Sequence, residues 1–471
     1  MTQISHSESF AVRSSCTDYY LILLGGLLMG YAVFGKTFAN VGVTVPPLYI
    51  GELVFAMGAI AFFHSRCAIA IFASLPNLLL LILISWAVVR TVPYVGEFGM
   101  DAFRDAVILV YGGFAFIVAA LLLEKPERLT LIIKFLRGLG LVLIPLTPIL
   151  VLMTNASAHS DAGPQWHIAQ VKIGTAGVHL GAAALLVLLG FKRPGLMWLV
   201  LLIIGTTAVA TQNRGGMLAM MFMLTVGALA SGKLREFGVT LLVGAALIAV
   251  AYAFDLSIPT ARHERDISVV QLVGNLKSLV GGGRDDLAGT SAWRLQWWNT
   301  IINYTINGPY FWAGKGFGIN LAIADGTISG RDNGLIPLTR SPHNGNFTIL
   351  ARTGVIGLGL WLLTFAAWSV AMLRDMLRAR ARADKAWANF FLLVFCYAGG
   401  FLIDASFDVT LEGPMAGIWF WCVFGVGSGA SMIYRAAPER RSAREFAGSM
   451  RSANMAECES RLVRRRLDMI S

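Results

Sequence analysis

Residues 340–363 have the sequence RSPHNGNFTILARTGVIGLGLWLL, in which a polar segment changes into a strongly apolar one. The apolar part is rich in Leu, Ile and Gly and is typical of a helix that enters a lipid bilayer. His343, the only histidine of this stretch, lies at the junction. A titratable imidazole at the mouth of a membrane helix indicates a functional role, and the charges elsewhere in the chain bear on what that role is.

The composition is that of a membrane protein. Of the 471 residues, 56% are hydrophobic and only 14% are charged, whereas a soluble domain has about 25% charged residues. The mean hydropathy is +0.66. Alternating strands of about ten residues are absent, so a β-barrel is not expected, and the predicted fold is an all-α polytopic membrane protein.

The apolar runs predict twelve transmembrane helices. They cover residues 18–35, 47–63, 75–91, 105–123, 131–153, 173–191, 195–211, 215–231, 238–254, 346–373, 386–409 and 415–434. The chain then divides into helices 1–9 (residues 1–254), a long loop (255–342), helices 10–12 (343–434) and a basic tail (435–471).

The net charge of +11 could point to nucleic acid, but the Lys and Arg residues cluster in alternate short loops and in the tail. This bias is the one that fixes membrane topology, so we expect no nucleic-acid partner. It predicts a multi-pass protein surrounded by membrane lipids, with both termini cytoplasmic and the long loop outside, which is the periplasm in a Gram-negative cell.

Two helices are predicted in the long loop. Apolar residues at helical spacing between Val269 and Val280 indicate an amphipathic surface helix, stopped by Gly281–Gly283. Thr290 or Ser291 is predicted to cap a second helix, AWRLQWWNTIINYT, with aromatic residues suited to a membrane interface. The GKGFG segment that follows has no strand before it, so we do not predict a nucleotide site there.

Three arginines and a histidine are predicted to gather at the periplasmic face, where the topology rule disfavours arginine. Arg90 ends the third helix, Arg214 the seventh, Arg294 lies on the Trp-rich loop helix and His343 opens the tenth. Other periplasmic cations add positive potential without a distinctive setting: Lys36, Arg104, Lys172, Lys315 and Arg340.

Each of the four has a structural alternative. Arg90 could be a snorkelling interface residue. Arg214 could form an ion pair with Asp404 or Asp408, because an arginine at a span end needs an anionic partner. Arg294 could stack on Trp298, and His343 could cap its helix.

Arginines around a histidine at a membrane surface suit a diphosphate, which guanidinium binds with paired donors. A diphosphate at a membrane surface suggests a lipid carrier, and the predicted reaction is glycosyl transfer from a polyprenyl-diphosphate sugar to a hydroxyl. His343 would be the general base, and the arginines would stabilise the leaving diphosphate. Metal chemistry would need clustered ligands, and Asp285–Asp286 is the only acidic pair outside. Ser341 is a poor nucleophile candidate, and no carboxylate that could act as nucleophile opposite the base is evident in the sequence, so direct displacement with inversion is expected.

Three motifs, in this order and on these membrane sides, resemble the O-antigen ligase family: TQNRGGMLAM at 211–220, WRLQWW followed by GKGFG in the loop, and SPHNGNFTILARTGVIGLGL. The family is related to the O-antigen polymerases and the bacterial O-oligosaccharyltransferases. The resemblance implies a GT-C-like glycosyltransferase fold of twelve spans with a periplasmic active site. It also implies an undecaprenyl-diphosphate-linked O-antigen donor, a lipid A–core acceptor, no metal and no nucleoside triphosphate.

The family's functional residues carry over to particular positions. The resemblance assigns the general base to His343 and diphosphate binding to Arg214 and Arg294. Arg284 is a rival to Arg294 for the loop position. Arg90 is also assigned to the diphosphate, although its motif is less distinctive. The HN motif and single long loop favour a ligase of lipopolysaccharide biosynthesis over a polymerase or O-oligosaccharyltransferase with the same donor. A transporter of lipid or anionic solute is the alternative of another class, and rim charges instead of mid-span charges count against it.

Overall fold

The computed structural model describes residues 16–42, 48–157, 170–191, 195–258, 266–279, 285–327 and 340–436. The predicted basic tail and the rival Arg284 lie outside these residues. The described chain is almost entirely helical, with one short antiparallel pair of strands, β1 (Ser257–Ile258) and β2 (Ile267–Ser268).

In the described part of the first half of the chain there are twelve α-helices. They are α1 (Cys16–Phe34), α2 (Lys36–Ala39), α3 (Ile50–His64), α4 (Leu75–Thr91), α5 (Val95–Phe98), α6 (Met100–Val110), α7 (Gly113–Glu124), α8 (Arg128–Ser157), α9 (Ile173–Leu188), α10 (Leu196–Gln212), α11 (Arg214–Ser231) and α12 (Leu234–Ala253). The second half adds α13 (Val269–Leu279), α14 (Asp285–Thr305), α15 (Leu321–Ala324), α16 (Gly345–Ala381), α17 (Lys385–Ala405) and α18 (Pro414–Ala436).

The apolar helices coincide with the predicted spans. Within the described ranges, nine helical stretches are long and apolar enough to cross a membrane, and three shorter apolar helices, α3, α9 and α10, fall on the second, sixth and seventh predicted spans. The chain is therefore a multi-pass helical membrane protein, whereas the exact count of twelve spans stays a prediction. The centre of the bundle is built by α18, which packs against α7 and α17 with nearly all of its residues buried.

The loop helices differ from the prediction at one boundary. The predicted amphipathic helix is α13, which ends at Leu279. The Trp-rich helix α14 begins at Asp285, so Thr290 and Ser291 lie inside it and the predicted cap is wrong. Acidic residues are favourable in the first turn of a helix, and Asp285 and Asp286 allow the helix to begin ahead of the capping signal.

The tenth predicted span, α16, is not one straight helix. Gly354 has φ +66°, outside the helical region, and divides it. The indole nitrogen of Trp361 donates to Oδ1 of Asn346 at 3.0 Å, although a straight helix would separate these residues by about 22 Å. The chain therefore reverses at Gly354, and Gly345–Thr353 folds back along the helix that follows.

The prediction that His343 opens a continuous membrane helix is thus corrected: His343 begins a short arm that doubles back beside the long one. Four backbone groups at the reversal bond to partners outside the helix. Lys315 N donates to Ala351 O (2.7 Å) and Gly316 N to Arg352 O (2.9 Å). Trp86 on α4 donates to Thr353 O (3.1 Å), and Val355 N donates to Phe311 O (2.8 Å).

The glycine-rich loop has a structural explanation in this contact. A Cβ on Gly314 would lie 2.5 Å from a backbone atom of Arg352, and one on Gly354 would lie 2.5 Å from Ala313 N. Both glycines have positive φ, which other residues rarely adopt. The backbone of the loop therefore packs directly against the backbone of the reversal, and this contact requires glycine both at Gly314 and at Gly354.

Candidate active site

The residues between α17 and α18 connect four separate parts of the fold. We call residues 404–410, the last two residues of α17 and the five that follow, the outer turn. It contacts His343 ahead of α16, Arg294 on α14, Lys172 ahead of α9 and the first turn of α11, which begins with Arg214. Three of the four predicted site residues, His343, Arg294 and Arg214, thus lie at one end of the bundle, whereas Arg90 lies elsewhere.

His343 is held in an unusual backbone conformation. Its φ is +53°, in the left-handed region that non-glycine residues adopt at a cost. The residue before it, Pro342, accepts a hydrogen bond from Trp298 Nε1 at 2.9 Å. The residue after it, Asn344, caps α16 by accepting from Asn346 N and Phe347 N. His343 is therefore fixed from both sides, and the cap that sequence left open for it belongs to Asn344.

Asp408 orients the imidazole. Its Oδ1 lies 3.3 Å from His343 Nδ1. Burial alone raises the pKa of Asp408, but the charge of Lys172, the His343 hydrogen bond and the Val409 amide together hold it well below its usual range. Because a carboxylate only accepts, this contact favours the tautomer of the neutral imidazole that carries its hydrogen on Nδ1 and its lone pair on Nε2. His343 and Asp408 are 25% and 29% exposed, so a substrate can reach the pair.

Helix α14 brings Arg294 and two tryptophans to this turn. Arg294 Nη1 donates to Phe407 O at 2.8 Å, next to the residue that binds His343. Trp293 meets the His343 ring edge-on at 6.1 Å between centroids. Trp298 stacks on Phe347 (4.9 Å between centroids). The alternative in which Arg294 stacks on Trp298 stays a prediction.

Arg214 is the first residue of α11 and is half-buried. Its neighbour Gly215 packs so closely that a Cβ there would lie 3.1 Å from Asp404 Oδ1 and 3.2 Å from Phe407 Cβ. Asp404 is buried and accepts from Thr410 Oγ1 (2.8 Å). The α11 N-terminus therefore points at the outer turn, where its partial positive charge adds to that of the Arg214 side chain.

Arg90 lies apart from these contacts. Its Nε donates to Ala313 O (2.7 Å), and Nη2 donates to Gly314 O and Tyr94 Oη, both at 3.2 Å. These bonds hold the glycine-rich loop against the end of α4. Within the described residues, these bonds connect Arg90 to the outer turn indirectly, through the loop and the reversal at Gly354.

A buried carboxylate braces the segment ahead of His343. Asp105 on α6 binds Arg340 (3.2 Å), Arg352 (2.9 Å) and the amide of Gly318 (3.2 Å). Arg340 also reaches Asp101 at 3.0 Å. One side chain therefore ties together α6, the short arm of α16, the glycine-rich loop and the residues leading to the histidine.

Sequence reasoning passed over several of these residues. Nothing near Lys172 in the sequence is distinctive, and Asp408 is predicted only as a possible partner of an arginine. The one sequence feature that points to both is their place at the predicted periplasmic ends of spans. No three His, Cys, Asp or Glu side chains in the described ranges are placed to hold a metal ion. Cationic groups, an oriented imidazole and a helix N-terminus form a setting for an anionic, oxygen-rich group.

Comparison with known proteins agrees with the motif resemblance. Residues 198–362 match the family model described as O-antigen ligase. This segment runs from α10 into α16 and includes Arg214, Arg294 and His343, whereas Arg90, Lys172 and Asp408 fall outside it. No curated protein sequence matches the chain.

Proposed function

We propose that this chain, a member of the O-antigen ligase family, transfers O-antigen polysaccharide from undecaprenyl diphosphate to a hydroxyl of lipid A–core. The reaction takes place at the periplasmic face of the bacterial inner membrane, needs no metal and inverts the anomeric configuration. The observation that carries the proposal is the outer turn, where consecutive residues, Phe407 and Asp408, bind Arg294 and His343.

His343 is the general base in this proposal. The acceptor hydroxyl gives its proton to Nε2 while its oxygen forms a bond to the anomeric carbon of the donor sugar. The bond from that carbon to the diphosphate oxygen breaks, and its electron pair leaves with the diphosphate. Asp408 keeps the hydrogen on Nδ1 and stabilises the imidazolium that forms.

Arg214 and Arg294 bind and neutralise the diphosphate. Guanidinium keeps its charge at any working pH and offers paired donors to phosphate oxygens. Charge accumulates on the diphosphate as the sugar leaves, so cations fixed at that place stabilise the transition state more than the ground state. Arg90, predicted as a further donor ligand, supports this site by holding the glycine-rich loop.

The decisive experiment mixes purified protein in detergent with undecaprenyl-diphosphate O-antigen and rough lipopolysaccharide, without metal or ATP. We expect a ladder on the lipopolysaccharide that His343→Ala abolishes while donor binding is retained. The matched control is His64→Ala, because His64 is exposed at the C-terminal end of α3 and bonds only within its own helix.

Other outcomes assign other functions. Longer glycans still on undecaprenyl diphosphate would make the protein a polymerase that uses the same donor. Donor binding with no product in any combination would contradict the proposal and favour a transporter. A His343→Ala protein with wild-type rates would remove the general base from the mechanism.

A further inference from the structure

Lys172 is the residue next to the catalytic pair that no motif singles out. It precedes α9, and its Nζ donates to Val409 O at 2.9 Å and lies 3.9 Å from Asp408 Oδ2. The other carboxylate oxygen, Oδ1, faces His343 Nδ1. Asp408 is thus placed between two nitrogen groups, one on each oxygen.

The backbone beside Lys172 is fixed independently of the outer turn. Gln170 pairs with Gly35 in a parallel bridge, where Lys36 N donates to Gln170 O at 2.8 Å and Gln170 N donates to Phe34 O at 3.2 Å. The lysine therefore reaches Asp408 from an anchored segment, and its position does not depend on the ion pair itself.

We propose that Lys172 is a positioning residue of the transfer reaction, which holds Asp408 ionised and turned towards His343. This inference rests on the proposed function and assigns a role to a residue outside the family match. Lys172 does not touch the reacting atoms; it acts through Asp408.

The charges around Asp408 explain why a cation is needed there. A second carboxyl group, that of Asp404, belongs to the same turn, where Asp408 N donates to Asp404 O at 3.1 Å. Glu412 follows in the chain and accepts from Thr348 Oγ1 at 2.7 Å. Arg294 is engaged with the adjacent Phe407 carbonyl, and Arg214 faces the turn from α11. Of these groups, Lys172 is the cation that makes a direct ion pair with the Asp408 carboxylate.

The pH dependence follows from the sign of that charge. At low pH, kcat/KM falls as the His343–Asp408 pair takes up a proton, because His343 must have a free Nε2 to act as base. We call this fall the acid limb of the pH profile. Removing a neighbouring cation makes a proton bind to the pair more readily. Lys172→Gln should therefore move the acid limb to higher pH, by on the order of one pH unit, whereas Lys172→Arg should leave it in place.

The experiment measures kcat/KM from pH 5 to 9 in the detergent assay for these variants and for Lys36→Gln. Lys36 is the matched control, because its side chain is exposed and only its backbone bonds to the same segment. A loss by the same factor at every pH, or no change, in Lys172→Gln would overturn the inference, because a lysine that merely ties down the Val409 carbonyl has no reason to shift the limb.

A second measurement needs no activity. An ionised Asp408 with a depressed pKa stabilises the fold above its unfolded pKa of about 3.9, and this stabilisation is lost as pH falls through the folded pKa. The melting-temperature gap between the wild type and Asp408→Asn should persist to lower pH with Lys172 present than in the Lys172→Gln background. If the two melting-temperature gaps have the same pH dependence, the inference about Lys172 is overturned. If the wild type shows no transfer, only the proposed function is contradicted, and this measurement still tests the inference.

Discussion

Nδ1 of His343 and Oδ1 of Asp408 lie 3.3 Å apart, although 65 residues separate them in the sequence. The histidine stands ahead of the short arm of α16, and the aspartate stands in the outer turn after α17. The contact therefore depends on how two spans pack at one end of the bundle. A neutral imidazole can carry its hydrogen on either nitrogen, and this contact favours the form in which Nε2 is the basic nitrogen.

Asp408→Asn tests this orientation. An amide can donate to Nδ1 and so place the hydrogen on Nε2, the wrong nitrogen for a base. We expect kcat to fall by about 10²–10⁴, the range of a general-base contribution, with donor KM nearly unchanged. The measurement is steady-state ladder formation with each substrate varied in turn.

The matched control is Glu97→Gln, since Glu97 is an exposed carboxylate in the short helix α5 at the end of α4. It should retain the wild-type rate. If Asp408→Asn and Glu97→Gln are equally active, the aspartate does not orient the base.

Arg294 should act through its paired donors as well as its charge. Arg294→Ala should lower kcat/KM for the donor by about 10²–10³, as expected for removal of one transition-state donor. Arg294→Lys should recover only part of this loss, because an ammonium lacks the guanidinium fork. Arg104→Ala removes an equally charged but largely exposed side chain. A similar loss in Arg104→Ala would mean that the general positive field, and not a specific contact, binds the donor.

Arg90 allows its two proposed roles to be separated. Its bonds to the Ala313 and Gly314 carbonyls predict that Arg90→Ala weakens the loop, with a loss of about 1.5–3 kcal/mol of stability for charged hydrogen bonds. We expect a lower melting temperature and a lower kcat, with donor KM within about twofold of wild type. A large rise in donor KM at an unchanged melting temperature would instead support the diphosphate contact that the sequence predicts.

Much of the fold could be read from hydropathy, because crossing a bilayer imposes a local requirement for about 20 apolar residues. For this reason most of the described apolar helices begin and end within a few residues of the predicted spans. The exceptions are the fourth span, which is divided into α6 and α7, and the tenth, which continues in α16 to Ala381. The end of the bundle at which Arg214, Arg294 and His343 meet was also predictable, since it follows from counting spans. Their partners were not: Phe407, Asp408 and Lys172 are brought together by packing between helices far apart in sequence.

The reversal in α16 could not be predicted for a related reason. The sequence TGVIGLGL has the apolar character of a continuous span, and three glycines in it look alike. What distinguishes Gly354 is its set of long-range partners: Trp86 on α4 donates to Thr353 O, Lys315 N and Gly316 N in the loop donate to carbonyls of the short arm, and Phe311 O accepts from Val355 N. These bonds satisfy backbone groups that a reversal in an apolar setting would otherwise leave unpaired.

Gly354→Ala and Gly359→Ala make a matched pair on the same helix. At Gly354, φ is +66° and a Cβ would lie 2.5 Å from Ala313 N, whereas a Cβ at Gly359 has nothing within 4 Å. Gly354→Ala should therefore cost about 1–3 kcal/mol in backbone strain alone, lower the melting temperature and reduce transfer, because the short arm that carries His343 is displaced. Gly359→Ala should be neutral or stabilising by up to about 1 kcal/mol. Thermal unfolding and the ladder assay measure both effects. Equal behaviour of the two variants would show that α16 does not reverse at Gly354, and would remove the argument that this fold-back places His343 against Asp408.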